Sequence, residues 1–308
     1  MAEKNYVIAV DSGTQSIRAV LFDAQGNELA IEQAQYDPYF SLQPGWAEQR
    51  TEDYWSKFCL VTKGLMAKIS IDPEAIAGLG ITTQRNTVIP MDKDGNALRS
   101  AIVWLDQRTV AQLPPLGLAG KMLFGAAGIL DAIRYAQKHS KFLWIQQNEP
   151  EIYEKTHKFV QASGFFVRNL TGEFHDSTGM VTGIWPFDYK KQKWYPISIA
   201  YSPLGITQDQ CVKLFSPDEV LGRVTAQASL ETGLPEGLPV VVGAGDKQSE
   251  LLGAGALEPH VAEISFGTAT AMHVMTRKYI VEKDMKFFTW PAAIPNTWDI
   301  EMFIFRGF

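Results

Sequence analysis

Four polar segments of this chain each follow an apolar run, and each carries side chains suited to phosphate or hydroxyl chemistry. In Asp11-Ser12-Gly13-Thr14-Gln15-Ser16, with Arg18 close behind, a carboxylate ends an apolar run and a glycine lets backbone approach a ligand. Backbone N–H groups of such a turn can nest phosphate oxygens. Asp11 offers Mg²⁺ a hard oxygen ligand, directly or through water. The same residue types also build an ordinary hairpin turn. In the second segment, Val240-Val241-Val242 delivers Asp246 across Gly243 and Gly245. A base in phosphoryl transfer must reach the attacking hydroxyl at hydrogen-bond distance, and an Asp at a rigid strand end meets that demand. Asp is equally a preferred helix N-cap. The third segment, Ser265-Phe266-Gly267-Thr268-Ala269-Thr270, repeats the pattern of strand, Gly-Thr and strand. Two facing Gly-Thr turns would grip phosphates from two sides, whereas a single one is a common hairpin. In the fourth, Gln84, Arg85 and Asn86 follow a buried strand, where ligand sites of α/β proteins lie. They can hydrogen-bond several hydroxyls of a polyol, although Arg85 would serve as well in a surface ion pair. Trp104, beside Asp106 and Arg108, offers an aromatic platform, and a lone Trp is as readily core.

The elements that position these residues follow from pattern. Residues 6–10, 17–23 and 28–37 read as three strands joined by polar turns, an antiparallel meander. A helix is expected from Thr51, as N-cap, with Glu52 and Asp53 in its first turn. Tyr54, Trp55, Phe58, Thr62, Leu65, Met66 and Ile69 share one face of it. Strands are expected at 76–82, 88–91, 101–105, 159–162 and 239–244, with helices at 133–147, 164–170 and 247–256. A short helix at 217–221 and a hairpin of 261–266 with 271–275 complete the set. Residues 111–132 carry no clear pattern, and 171–215 read as an irregular, aromatic-rich surface region. Alternation after an opening meander predicts an α/β fold with a mixed sheet and helices on both faces.

Composition removes several function classes. The net charge is −6 and no Lys/Arg-rich run occurs, so neither nucleic acid nor an anionic membrane is an expected partner. Cys59 and Cys211 form no C-x-x-C pair, which leaves a reducing cytoplasm as the expected location and suggests no zinc site. The start runs straight into a strand without the apolar stretch of a signal peptide. No segment is apolar for long enough to form a transmembrane helix. There is no Walker A loop and no G-x-S-x-G elbow. A homodimer is compatible with all of this, and the sequence does not decide the assembly.

Taken in order, Asp11-Ser12-Gly13-Thr14 with Arg18, Pro44-Gly45-Trp46-Ala47-Glu48-Gln49, Thr83-Gln84-Arg85, Trp104-Leu105-Asp106-Gln107-Arg108, Gly245-Asp246 and Gly267-Thr268 resemble the FGGY carbohydrate kinases. The resemblance spans nearly the whole chain. It implies an actin/hexokinase/ribonuclease H-like fold of two domains around a cleft. Residues 1–252 would form the sugar-binding domain, and 253–308 the start of an incomplete nucleotide-binding domain. It implies transfer of the γ-phosphoryl group of ATP, with Mg²⁺, to a small sugar or polyol. Asp246 would be the general base and lie in the substrate site. Asp11 would help hold the metal, and Gly13, Thr14, Gln15, Ser16, Arg18, Gly267 and Thr268 would line the nucleotide with it. Gln84, Arg85, Asn86, Trp104 and Lys247 would line the sugar. The chain departs from the pattern in its length. It also departs at Asn86, where glycerol kinases carry an acid, and at Lys247, where Gln or Asn is common.

Overall fold

The computed structural model describes residues 4–126, 130–266, 270–282 and 286–304. The opening meander forms as expected. Strands β1 (Tyr6–Ser12), β2 (Ser16–Asp23) and β3 (Glu28–Gln35) pair antiparallel. They are extended by β4 (Ile76–Thr83), β5 (Val220–Arg223) and β6 (Pro239–Val242) into one sheet of order β5-β6-β4-β1-β2-β3. In it β1, β4 and β6 run parallel, so their C-terminal ends emerge along one edge.

Alternation decides which face is core. Ile8, Val10 and Ser12 of β1 are buried on one face, under helices α1 (Thr51–Lys68), α3 (Ala162–Thr171) and α4 (Ala226–Thr232). Asp11 therefore faces the opposite way, beside its cross-strand partners Arg18 and Thr82. Helix α5 (Asp246–Gly253) reaches that second face, where the Ser249 hydroxyl lies 3.2 Å from that of Thr82. A second apolar cluster lies around Phe142, Trp144, Phe159, Trp185 and Tyr201. A further antiparallel sheet follows, of β7 (Glu263–Phe266), β8 (Thr270–Thr276), β9 (Phe288–Pro291) and β10 (Trp298–Ile304), in the order β7-β8-β10-β9.

Several local expectations give way to tertiary contacts. Helix α1 starts at Thr51 itself, with Arg50 as its N-cap and no side-chain cap. The helix expected over 133–147 is two helices, Leu130–His139 and α2 (Lys141–Asn148), broken at Ser140. Ser140 Oγ accepts the Leu143 N–H and donates to the Leu204 carbonyl at 2.6 Å, a cap that outweighs continuity. The helix expected at 217–221 does not form: residues 217–219 make a turn and Val220 and Leu221 open strand β5, because Val220, Gly222 and Arg223 pair antiparallel with β6. The strand expected over 101–105 is confined to Ala101–Ile102. Residues 171–215 are not a surface region. Met180, Val181, Trp185, Phe187, Tyr201 and Leu204 are buried, since their aromatic content supplies the second cluster. The strands of the last expected hairpin pair as foreseen, while its turn, with Gly267 and Thr268, lies outside the described residues.

Candidate functional site

Parallel neighbours deliver their ends to the same edge, and that edge collects the predicted residues. β1 brings Asp11 and the turn at Gly13-Thr14, β4 brings Gln84, Arg85 and Asn86, and β6 leads to Asp246. Asp246 is the first residue of α5, and Gly245 is its N-cap. Its Oδ1 accepts the N–H of Lys247 at 2.9 Å and the Nε–H of Arg85 at 3.2 Å. Among the described residues both bonds fall on that one oxygen, and the side chain is 31% exposed. Among the described residues Oδ2 thus has no hydrogen-bond donor. The carboxylate is not the cap of its own helix.

Arg85 is nearly buried and crosses from the first sheet to the second. Its two terminal nitrogens donate to both carboxylate oxygens of Glu301, at 2.7 and 3.1 Å. Burial works against its charge, but Glu301, Asp246 and Asp299 more than offset this, and the guanidinium stays above its usual range. Behind Glu301, His273 Nδ1 lies 2.9 Å from Asp299 Oδ2, which also accepts from Gln248 of α5. Asp11 pairs with Arg18 at 2.9 Å. Burial raises its pKa, Arg18 opposes the rise, and the carboxylates of Asp246 and Glu250 add to it. Three acids therefore share one crevice.

The remaining predicted residues divide by exposure. Trp104 is 45% exposed and donates its indole N–H to Thr14 Oγ1 at 2.9 Å, so it walls the crevice rather than the core. Gln84 is buried. Its amide joins Gln49 and Tyr54 of α1, and its Oε1 accepts from Thr14, so it braces the first turn from below. Gln15 is exposed, Ser16 and Thr14 are half-buried, and Ser12 is buried against the Tyr36 hydroxyl at 2.8 Å. Asn86 has φ 57°, a left-handed conformation that Asn tolerates. Lys247 pairs with Glu250 at 2.8 Å and reaches Ser265 Oγ at 3.2 Å. The 44–49 and 104–108 segments interlock below the site. Arg108 donates to Asp106 and Glu48 and lies over the Trp46 ring at 4.1 Å and the Trp144 ring at 4.4 Å.

With this geometry in hand, comparison with known proteins is decisive. The profile of the N-terminal domain of the FGGY family of carbohydrate kinases matches residues 6–253. The chain belongs to the FGGY family. Among relatives in the family, an uncharacterised sugar kinase of Escherichia coli is 28% identical over 96% of this chain and 52% of its own length. A glycerol kinase of Thermococcus kodakarensis is 29% identical over 91% of this chain and 56% of its own. The chain thus spans about half the length of these curated relatives. A xyloylose kinase structure from Brucella ovis superposes with a TM-score of 0.83 at 22% identity, covering 98% of this chain and 61% of that one. The fold is therefore that of the FGGY kinases, of actin/hexokinase type.

The family resemblance implies a nucleotide and Mg²⁺, and the side chains of the crevice bear on whether such a cation would fit. Among the described residues no group of three His, Cys, Asp or Glu side chains forms a direct metal cage. Burial is the main cause of the raised Asp11 pKa, and the carboxylates of Asp246 and Glu250 that add to it would suit a cation held through water, as Mg²⁺ prefers.

Several residues of the site escaped sequence reading. Lys141, at the start of α2, is buried and donates to the carbonyls of Asn86 at 2.6 Å and Val103 at 2.9 Å. It thereby ties together the loops that carry Arg85 and Trp104. Burial pushes its pKa down to about 7, with Asp106 acting against the fall. Glu301 is likewise unannounced, because its partner Arg85 lies 216 residues earlier, and so is Trp290, which donates to Glu301. The one available signal was acids at Asp299 and Glu301 alternating with apolar residues along a strand.

Proposed function

We propose that this chain forms the acceptor side of an ATP-dependent kinase that phosphorylates a hydroxyl of a sugar or polyol, with Asp246 as general base. Family membership supports the reaction class, and one observation carries the role. Asp246 is fixed at the start of α5, just past β6, and among the described residues both of its hydrogen bonds fall on Oδ1, so Oδ2 is left to receive a proton. When bound, magnesium-ATP supplies the electrophilic γ-phosphoryl group. The chain's own residues do the rest. Oδ2 of Asp246 takes the proton of the attacking hydroxyl as its oxygen becomes nucleophilic. Arg85 orients neighbouring hydroxyls, and Trp104 closes one wall against water. Asp11, with Glu250 nearby, meets the cation side of the nucleotide, and the backbone of the Gly13-Thr14 turn meets phosphate oxygens. Asn86 and Lys247 lie at the acceptor rim. We further assign residues 1–252 to acceptor binding and 253–308 to the nucleotide side.

The test is ATP-dependent phosphorylation of a panel of glycerol, xylulose and gluconate, with calorimetric binding in parallel. For the acceptor that is turned over, Asp246→Asn is expected to lower kcat by about 10²- to 10⁴-fold while leaving acceptor binding nearly intact. Near-normal turnover by that variant removes Asp246 from the role. Acceptor binding without any turnover by the wild-type chain would leave a sugar-binding module in place of a kinase.

A further inference from the structure

The acceptor pocket has a support that none of the predicted site residues supplies. Glu301, on the middle of β10, is 1% exposed, a rare place for a carboxylate side chain. Its carboxylate forks onto Arg85, and the Trp290 indole N–H donates to its Oε2 at 2.6 Å. Trp290 is itself held by stacking on Phe288, with ring centroids 5.4 Å apart, and by an edge contact with Tyr189 at 5.3 Å. On the far side of Arg85 the backbone leaves no freedom. A Cβ on Gly245 would lie 2.3 Å from Arg85 Cγ. The arginine is thus confined by a glycine on one side and a buried carboxylate on the other. Buried ion pairs add little net stability but set geometry well, which points to orientation as the use of this one.

Donor accounting shows what is being oriented. A guanidinium has five N–H groups. One goes to Asp246 and two to Glu301. Among the described residues that leaves two, one on each terminal nitrogen, in the plane that the Glu301 fork fixes.

We propose that Glu301 is a positioning residue for acceptor recognition. It acts through Arg85, so that the acceptor pocket is completed by the second sheet and not by the strand ends of the first sheet alone. This rests on the reading of Arg85 as an acceptor ligand. Glu301→Gln keeps the shape and removes the charge that grips the fork. It should weaken binding of the accepted sugar by at least about 10-fold, the scale of a lost charge-assisted pair. Although Glu301 lies in the segment assigned to the nucleotide side, its change should weaken acceptor binding more than it changes the affinity for ATP. In an Arg85→Met background, Glu301→Gln should have no further effect on acceptor affinity, because nothing remains to be positioned.

The measurement is calorimetric titration of glycerol, xylulose and gluconate, and of ATP, into wild type, both single variants and the double variant. Trp290→Phe, which keeps the stack and removes only the indole N–H, gives a milder case should Glu301→Gln fold poorly. It is expected to weaken acceptor binding about 3- to 10-fold, one hydrogen bond's worth. Unchanged acceptor affinity in Glu301→Gln, or equal losses with and without Arg85, overturns the proposal while leaving the kinase reading intact. A wild-type chain that binds none of the three acceptors overturns the kinase reading, and this inference with it.

Discussion

Replacing Lys141 by Met tests how the loops of the site are held. Two opposing effects can be worked from the structure. Loss of the ammonium leaves the buried carbonyls of Asn86 and Val103 without their donor, at about 1–3 kcal/mol each, independent of pH. Against this, burial lowers the lysine pKa from 10.5 to about 7, so the folded wild type holds a charge unwillingly below neutrality. The sign follows from proton counting. Between pH 7 and 10.5 the unfolded chain binds a proton that the folded chain does not, so wild-type stability rises with pH by about 1.4 kcal/mol per pH step. That contribution is fully present above 10.5 and lost as pH falls through 7, about 5 kcal/mol in all. The variant lacks it. Near pH 6 the two effects offset, and the proteins should agree within about 3 kcal/mol. By pH 9 the variant should have lost roughly 3 kcal/mol more relative to wild type. Urea unfolding of both proteins at pH 6, 7, 8 and 9 measures this, since titrations common to both cancel in the difference. A difference that stays flat over that range would show that the carbonyls keep the ammonium charged, and the argument from burial would be refuted.

Two further substitutions probe the same architecture. Gly245→Ala places a methyl 2.3 Å from Arg85 Cγ without backbone strain, since φ there is −62°. It should displace the guanidinium, cost about 1–3 kcal/mol in unfolding free energy and weaken acceptor binding. A variant with wild-type stability and affinity would show that Arg85 has room to spare. Arg108→Met removes the guanidinium from the buried carboxylates of Asp106 and Glu48, leaving Glu48 to Arg99 and Asp106 to backbone N–H groups, and removes the contacts with Trp46 and Trp144. A loss of about 3–5 kcal/mol is expected in denaturant titration, and a loss under 1 kcal/mol would mean that water readily replaces the guanidinium.

Local pattern was enough for much of the scaffold. The meander of β1, β2 and β3 could be read because alternating apolar residues and polar turns act over a few residues. The positions of Asp11 and Arg85 at or just past strand ends, and of Asp246 at the helix start that follows β6, could be read for the same reason. The break at Ser140 could not, because the Leu204 carbonyl that favours it lies 64 residues away. Nor could the strand at Val220–Arg223, whose two short apolar residues become a strand only when β6 offers an edge.

By itself, then, the sequence determined which residues stand at the mouths of the parallel strands and that their chemistry suits hydroxyls and phosphates. Spacing along the chain is sufficient for that. Only the tertiary structure decided how those residues are used. Gln84 turns inward to brace a turn, Arg85 is gripped by Glu301 from across 216 residues, and Lys141 joins two loops through their carbonyls. The physical reason is that a buried charge or amide is placed by whichever partner satisfies it. Those partners come from distant elements brought together by apolar burial, which carries no record of them in local pattern.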